Sequence, residues 1–217
     1  MYQKNKFIKG QVFHICNKSI ANYGIFKDPK NAKRFIKGLS YYNNSISKLN
    51  LALYLRSEIN KQERVNLLLP KEKSVVKLIC YCIMPDHYHL LLKVLTDNTL
   101  SKYISDVENS FTRFFNTKFD RKGPLWQSRF RRVEIETDEQ LLHVSRYIHL
   151  NPTTSELVNR PEDWKDSSYR EYINNEKILK DVMKEITISD PKRYKKFCEN
   201  NIDYQKKLKK IKRLMLE

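Results

Sequence analysis

The chain has 217 residues, of which 40% are hydrophobic and 12% aromatic, and a formal net charge of +17. This apolar content suffices for a folded core and excludes wholesale disorder. So large an excess of positive charge indicates a polyanionic partner, with nucleic acid favoured over an anionic membrane surface. The longest apolar runs fall far short of the ~20 residues that a membrane-spanning helix needs.

The N-terminal segment and the cysteines indicate in which cellular compartment the protein resides. Residues 1–16 are basic but contain neither a long apolar stretch nor a small-residue cleavage site, so no signal peptide is predicted. Cys80 and Cys82 lie in an apolar stretch, while Cys16 and Cys198 are isolated. This spacing fits neither a disulfide framework nor a zinc finger. We therefore expect a protein of the reducing bacterial cytoplasm.

Apolar periodicity predicts seven elements before the basic C-terminal part. In chain order they are a strand at 11–17, a helix at 29–48, strands at 74–84 and 87–95, a helix at 99–117, a strand at 130–136 and a helix at 137–152. Asp28 and Pro29 supply an N-cap and a first helical residue. Thr137 and Gln140 have the spacing of a capping box, and Pro152 should end that last helix.

The order β-α-β-β-α-β-α predicts an α+β fold of the ferredoxin-like type, an antiparallel sheet with helices packed on one face. We expect one domain over residues 8–173, followed by a basic helical extension over residues 178–217. Residues 50–73 fit either a longer helix or an insertion. In the extension, six of the eight residues from 206 to 213 are basic, which suits a solvated amphipathic helix that attracts phosphate without reading sequence.

The first chemical signal is the sequence His87-Tyr88-His89. Residues two apart on a strand point the same way, so both imidazoles should project from one face and Tyr88 from the other. Two neighbouring neutral imidazoles are a common divalent-metal site. Two ordinary surface histidines are the alternative interpretation.

The second signal is the helix that Thr137 begins. One stripe of this helix is apolar and should pack inward: Leu141, Val144 and Ile148. A separate stripe is polar: Gln140, His143, Tyr147 and Asn151. Because Tyr147 and Asn151 are four residues apart, they should stack on the polar side, outside the apolar stripe. A half-buried tyrosine with a hydrogen-bonded hydroxyl is the alternative.

The third signal is a basic and aromatic segment at residues 126–132. It contains four candidate DNA-binding residues: Trp126, Arg129, Arg131 and Arg132. Basic and aromatic residues in alternation suit phosphate contacts combined with base stacking on single strands, although a basic edge strand would have the same composition. His14 and His143 are further candidates for phosphate contact or proton transfer, with a structural role as the alternative.

Four segments together resemble a known family. They are YCIMPDHYHLLL, LWQSRFRR, RYIHLNP and PEDWKDSSYREY, and they occur in the family's order. The chain resembles the HUH single-tyrosine transposases, specifically the REP-associated tyrosine transposases, over about residues 8–173. The resemblance implies that His87 and His89 bind a metal, that Tyr147 is the nucleophile and that Asn151 is the third metal ligand.

The resemblance also implies a ferredoxin-like domain, Mg²⁺ or Mn²⁺ as cofactor and hairpin-containing single-stranded DNA as substrate. A metal held by His87, His89 and Asn151 would assist attack by Tyr147 on a phosphate, leaving a 5′-phosphotyrosine. No membrane partner is expected, and both a monomer and a homodimer are compatible with the sequence. Three other interpretations are an inactive or domesticated relative that only binds DNA, a metal-dependent nuclease without a covalent intermediate, and a replication initiator or relaxase.

Overall fold

The computed structural model describes residues 6–44, 51–56, 67–68, 72–174, 182, 188 and 190–214. Its strands are β1 (Val12–Lys18), β2 (Val76–Ile83), β3 (His87–Val94) and β4 (Arg131–Ile135). Its helices are α1 (Pro29–Tyr42), α2 (Leu51–Arg56), α3 (Leu100–Lys118), α4 (Asp138–Thr154), α5 (Tyr169–Asn174), α6 (Pro191–Glu199) and α7 (Ile202–Leu214). Two short 3-10 helices occur at Ile20–Asn22 and Pro161–Asp163.

The four strands form one antiparallel sheet in the order β2-β3-β1-β4. β3 therefore lies between β1 and β2, and β1 lies between β3 and β4, which is the split βαβ arrangement. The predicted ferredoxin-like α+β fold is confirmed. The predicted strands agree with the observed ones to within two residues at each end.

The helix ends follow from local hydrogen bonds. Asp28 accepts from the Lys30 amide and Thr137 from the Gln140 amide, which confirms both predicted N-caps. α1 ends before residue 48 because the Asn43 side chain leaves the helix and bonds the β2 backbone at Val76. The end of α4 lies two residues beyond the predicted stop at Pro152.

One face of the sheet, here named the packing face, is covered by α1 and α3 and is almost entirely apolar. It carries Ile15 of β1 and Tyr88 of β3, both fully buried. Tyr88 packs on Phe35 of α1, and Phe35 contacts Phe111 of α3. The expectation of helices on one face holds for α1 and α3, whereas α4 lies against the opposite face of β2 and β3.

The β2 edge of the sheet is covered by the segment before and within α5. Cys82 forms an isolated bridge with Ser167, and the Ser168 hydroxyl accepts from the Tyr81 amide. Trp164 Nε1 donates to the Ile83 carbonyl. This pairing satisfies backbone groups that an open edge strand would leave exposed. The segment SSYREY is therefore part of the domain's structure.

Residues 190–214 pack on the helix that carries Tyr147, because α6 and α7 both contact α4. Tyr194 of α6 is fully buried, and its hydroxyl lies 2.8 Å from His149 Nδ1 and 3.0 Å from Ser145 Oγ. His149 Nε2 lies 2.8 Å from Ser168 Oγ. This buried network links α4 to α6 and to the start of α5. No helix within the described ranges is long and apolar enough to cross a membrane.

Candidate active site

The other face of the sheet, here named the site face, carries the polar side chains singled out in the sequence. His14 and Cys16 of β1 project from it, as do His87 and His89 of β3, because Cys16 is paired with His89. α4 lies across this face with Tyr147 above the histidines. The Tyr147 ring centroid is 5.6 Å from that of His89 and 6.2 Å from that of His14.

His87 and His89 share the site face, as predicted from their spacing. Their ring centroids are 5.0 Å apart, with the rings nearly perpendicular. His87 Nδ1 lies 2.5 Å from Asp86 Oδ1, and Asp86 also pairs with Lys18 at 3.3 Å. Burial raises the pKa of Asp86, but the His87 hydrogen bond and the Lys18 charge outweigh it, so the net pKa is lowered. The carboxylate fixes the His87 ring and leaves Nε2 for a ligand.

His14 belongs to the site, although the sequence indicated it only as a further candidate for phosphate contact or proton transfer. Its Nε2 lies 2.9 Å from His89 Nδ1, and the two rings are stacked. Burial lowers the pKa of His14 to about 4, so the imidazole is neutral at pH 7. Alternation along β1 puts His14 on the same face as Cys16, but only the pairing of β1 with β3 brings His14 to His89.

Tyr147 is the exposed member of the helix stripe, with 45% of its surface accessible. Desolvation of the inner part of the ring raises the pKa of Tyr147, and the Asn151 side chain offsets part of this rise. Asn151 itself is buried, and within the described structure its Nδ2 has no well-formed acceptor. This unmet group is an N–H donor, which suits an anionic oxygen such as that of a phosphate, whereas a cation would bind the amide oxygen Oδ1.

A buried carboxylate supports the His87-Tyr88-His89 strand from the packing face. Glu108 of α3 accepts hydrogen bonds from the Tyr88 hydroxyl at 2.6 Å and from Asn17 Nδ2 at 2.8 Å. Burial raises the pKa of Glu108, and these two bonds offset part of the rise. The polar tyrosine between the histidines is therefore fully satisfied. Sequence reasoning missed Glu108, whose only signal was a carboxylate within an apolar helix stripe.

The three candidate arginines have different positions. Arg131 is paired with Cys16, so it is exposed on the site face. Arg132 projects to the packing face, with its guanidinium 4.6 Å from the Phe7 ring centroid. Arg129 is exposed in the loop before β4. Strand alternation thus places Arg131 and Arg132 on opposite faces of the sheet, and Arg131 is the one on the face of the histidines.

Trp126 packs partly on the aromatic core, and a DNA contact at its remaining accessible surface stays a prediction. The indole is half-buried against Phe35, Tyr88 and Phe111 on the packing side, and its Nε1 donates to Thr112 Oγ1 at 3.1 Å. The residue belongs to the aromatic core because the 124–128 turn runs over α3.

His143 lies on the exposed side of α4, one helical turn before Tyr147. Its Nδ1 is 3.3 Å from an Arg146 guanidinium nitrogen, and its ring centroid is 5.9 Å from that of Phe197 in α6. It faces the helical extension as well as solvent. A DNA contact at His143 remains a prediction.

Residues 54–151 match the family model described as "Transposase IS200 like". A Haemophilus influenzae protein assigned to the REP-associated tyrosine transposases is 28% identical over 152 residues, which are 65% of this chain and 86% of that protein. A solved structure of a REP-associated tyrosine transposase bound to a REP hairpin superposes with a TM-score of 0.56 at 15% identity, covering 81% of this chain and 86% of that one.

These findings define a class by similarity: over residues 54–151 the chain is similar to the IS200-like transposases. Within that class, the resemblance to the REP-associated tyrosine transposases is confirmed. The solved structure supports the fold, while the family model spans β2, β3, α3, β4 and most of α4.

Proposed function

We propose that this protein cleaves and rejoins single-stranded, hairpin-containing DNA through a covalent bond to Tyr147. The observation that carries this proposal is the position of the Tyr147 ring, within about 6 Å of both His14 and His89 and accessible to solvent. A covalent role is consistent with a solvent-accessible tyrosine beside a polar face.

A divalent ion fits the proposed site. Two imidazoles on one face and the amide oxygen of the buried Asn151 form a set of nitrogen and oxygen ligands that suits a divalent ion. His87, His89 and Asn151 would hold Mg²⁺ or Mn²⁺. When bound, the ion would polarise a non-bridging phosphate oxygen and offset the charge that develops there.

The remaining chemistry belongs to the chain's own side chains. Tyr147 Oη forms a bond to phosphorus while the bond from phosphorus to the 3′ oxygen breaks. The phenol proton leaves for solvent, and the departing oxygen becomes a 3′-hydroxyl. Because the phosphotyrosine conserves the energy of the phosphodiester bond, a later attack by a 3′-hydroxyl rejoins the strands without ATP and returns a proton to Tyr147. Arg131, on the same face, would hold the DNA backbone.

The identity of the DNA is supported by charge and by the relative. A +17 chain attracts phosphate, and Arg129 and Arg131 are exposed where β4 begins beside the histidines. The structural relative is bound to a REP hairpin. A hairpin offers a duplex for phosphate contacts and an adjacent single strand for cleavage.

One chain supplies every proposed residue, because Tyr147 lies over the histidines of its own sheet. We infer that a monomer is sufficient for cleavage. Mixing a His89→Ala variant with a Tyr147→Phe variant tests this point. The mixture should stay inactive, whereas recovered cleavage would show that the tyrosine acts on a partner's site.

Replacing Tyr147 with Phe tests the proposed function. The change removes one oxygen from a partly exposed ring, so folding and DNA binding should persist. Cleavage of a single-stranded hairpin substrate with Mg²⁺ should disappear, together with the protein–DNA adduct on a denaturing gel. Tyr23→Phe is the matched control, since Tyr23 is also exposed but contacts Phe115 of α3.

The outcomes separate the competing functions. Cleavage by Tyr147→Phe at the wild-type rate would identify a nuclease that uses water. An inactive wild type that still binds hairpin DNA would identify a binding protein without catalysis.

A further inference from the structure

A second group of metal-binding side chains lies beside the proposed Mg²⁺ or Mn²⁺ site. The ligand atoms of His14, Cys16 and His89 all lie within 4.8 Å of one another. Cys16 and His89 are direct partners in the pairing of β1 with β3, and His14 lies two residues along β1. Three side chains from two hydrogen-bonded strands therefore converge on the site face, held by the sheet itself.

The chemistry of this group differs from that of the site with His87 and Asn151. A thiolate and two imidazoles are ligands that Zn²⁺ prefers, whereas Mg²⁺ favours oxygen ligands. We propose that His14, Cys16 and His89 form a second metal site that binds a thiophilic divalent ion, with Zn²⁺ as the fitting species.

The spacing of the imidazoles suits such an ion. His14 Nε2 and His89 Nδ1 are 2.9 Å apart, joined by a hydrogen bond. Two nitrogens in a tetrahedral zinc site are separated by roughly 3.3 Å, so the rings need to part by only a few tenths of an ångström. The proton between them moves to the other nitrogen of its ring, and the Cys16 thiol releases its proton to solvent. Burial raises the pKa of the Cys16 thiol, and the charge of Arg131, which is paired with Cys16 between β4 and β1, offsets part of this rise.

Because His89 belongs to both sites, a metal ion in the second site should affect DNA cleavage. This part of the inference rests on the proposed function. A neutral imidazole has one nitrogen lone pair, because its other nitrogen carries the proton. His89 can therefore bind the ion beside His14 and Cys16 or the ion beside His87 and Asn151, but not both. Zn²⁺ should act as an inhibitor that competes with Mg²⁺ or Mn²⁺.

Binding is tested without reference to activity. Metal-free protein is titrated with Co²⁺, which takes the place of Zn²⁺ and gives a near-ultraviolet thiolate charge-transfer band when sulfur coordinates it. The wild type should develop this band and lose it when Zn²⁺ is added. Cys16→Ser should show no band, while His87→Ala should retain it. A wild type without the band, or a band retained in Cys16→Ser, would overturn the proposal.

A second measurement uses the unmodified chain. Alkylation of Cys16, followed by mass spectrometry, should be slowed by one equivalent of Zn²⁺ and not by excess Mg²⁺. Cys82 provides an internal comparison, because it is also on the site face but fully buried under α4. Equal alkylation of Cys16 with and without Zn²⁺ would contradict the assigned ligand set.

Inhibition is tested last, with the hairpin cleavage assay. Zn²⁺ at one equivalent should lower Mg²⁺-dependent cleavage by about tenfold in the wild type, since Zn²⁺ binds nitrogen and sulfur ligands far more tightly than Mg²⁺ does. Cys16→Ser should cleave normally and be much less sensitive. If the wild type does not cleave hairpin DNA, the proposed function is wrong and this assay cannot be run, but the Co²⁺ titration and the alkylation of Cys16 still test the second metal site. Inhibition of equal size in both proteins would overturn the competition, whatever the Co²⁺ titration shows.

Discussion

Tyr88 and His89 are neighbours in the chain and lie in opposite environments. Tyr88 is enclosed on the packing face by Phe35 and Trp126, and its hydroxyl is satisfied by Glu108. His89 projects to the site face, where it meets His14 and the Tyr147 ring. At these positions the sheet separates stability from chemistry. Changes at Tyr88 should lower the free energy of unfolding, and changes at His87 or His89 should lower activity.

The largest effect should come from Tyr88→Ala. Removing a fully buried aromatic side chain should lower the free energy of unfolding by about 3–5 kcal/mol, because a cavity forms and Glu108 loses a partner. His87→Ala is the control on the site face and should cost about 1 kcal/mol, since only the bond to Asp86 is lost. Urea unfolding measures both. Equal losses in the two variants would contradict the division between the faces.

Trp126→Ala should be the next largest. The half-buried indole packs in the aromatic core, so we expect a loss of about 3 kcal/mol in the free energy of unfolding. The affinity of the folded protein for single-stranded DNA should stay within about twofold, because the indole packs mainly against Phe35 and Phe111 and not against a base. Trp126→Phe should restore most of the stability. If Trp126→Ala lost affinity for single-stranded DNA but kept normal stability, Trp126 would be identified as a DNA-contacting residue.

Acid should destabilise the protein through two histidines that burial keeps neutral. Burial lowers the pKa of His149 to about 3 and that of His14 to about 4, from 6.5. The unfolded chain therefore takes up protons first as the pH falls below 6.5. Stability should be complete above that pH and decline towards the folded pKa values. Urea unfolding at a series of pH values checks this. The stability of His14→Gln should decline less steeply with falling pH, because only His149 then contributes.

The smallest expected effect is on DNA binding, and it should differ between two adjacent arginines. Arg131→Ala should weaken binding of hairpin DNA by about 1 kcal/mol and reduce the salt dependence by roughly one phosphate contact. Arg132→Ala should leave binding nearly unchanged, because that side chain lies over Phe7 on the packing face. Fluorescence anisotropy at several salt concentrations measures both. A larger loss from Arg132→Ala would place the DNA on the packing face.

Much of the molecule follows from the sequence alone. The order of elements predicts the ferredoxin-like sheet, because strand and helix periodicities differ and each element has its own start signal, such as Asp28 or Thr137. The shared face of His87 and His89 follows from the two-residue repeat of a strand. The position of Tyr147 outside the apolar stripe follows from the helix repeat in the same way.

What the sequence does not determine is which elements meet. Three contacts join residues far apart in the chain: the hydrogen bond between His14 and His89, the bond from the Tyr88 hydroxyl to Glu108, and the packing of Trp126 on Tyr88. Likewise, the link from Tyr194 to His149 ties the basic extension to α4. Local periodicity reports only the direction of a side chain relative to its own element. The partner across a sheet or between helices is decided by strand register and packing, which only the tertiary structure specifies.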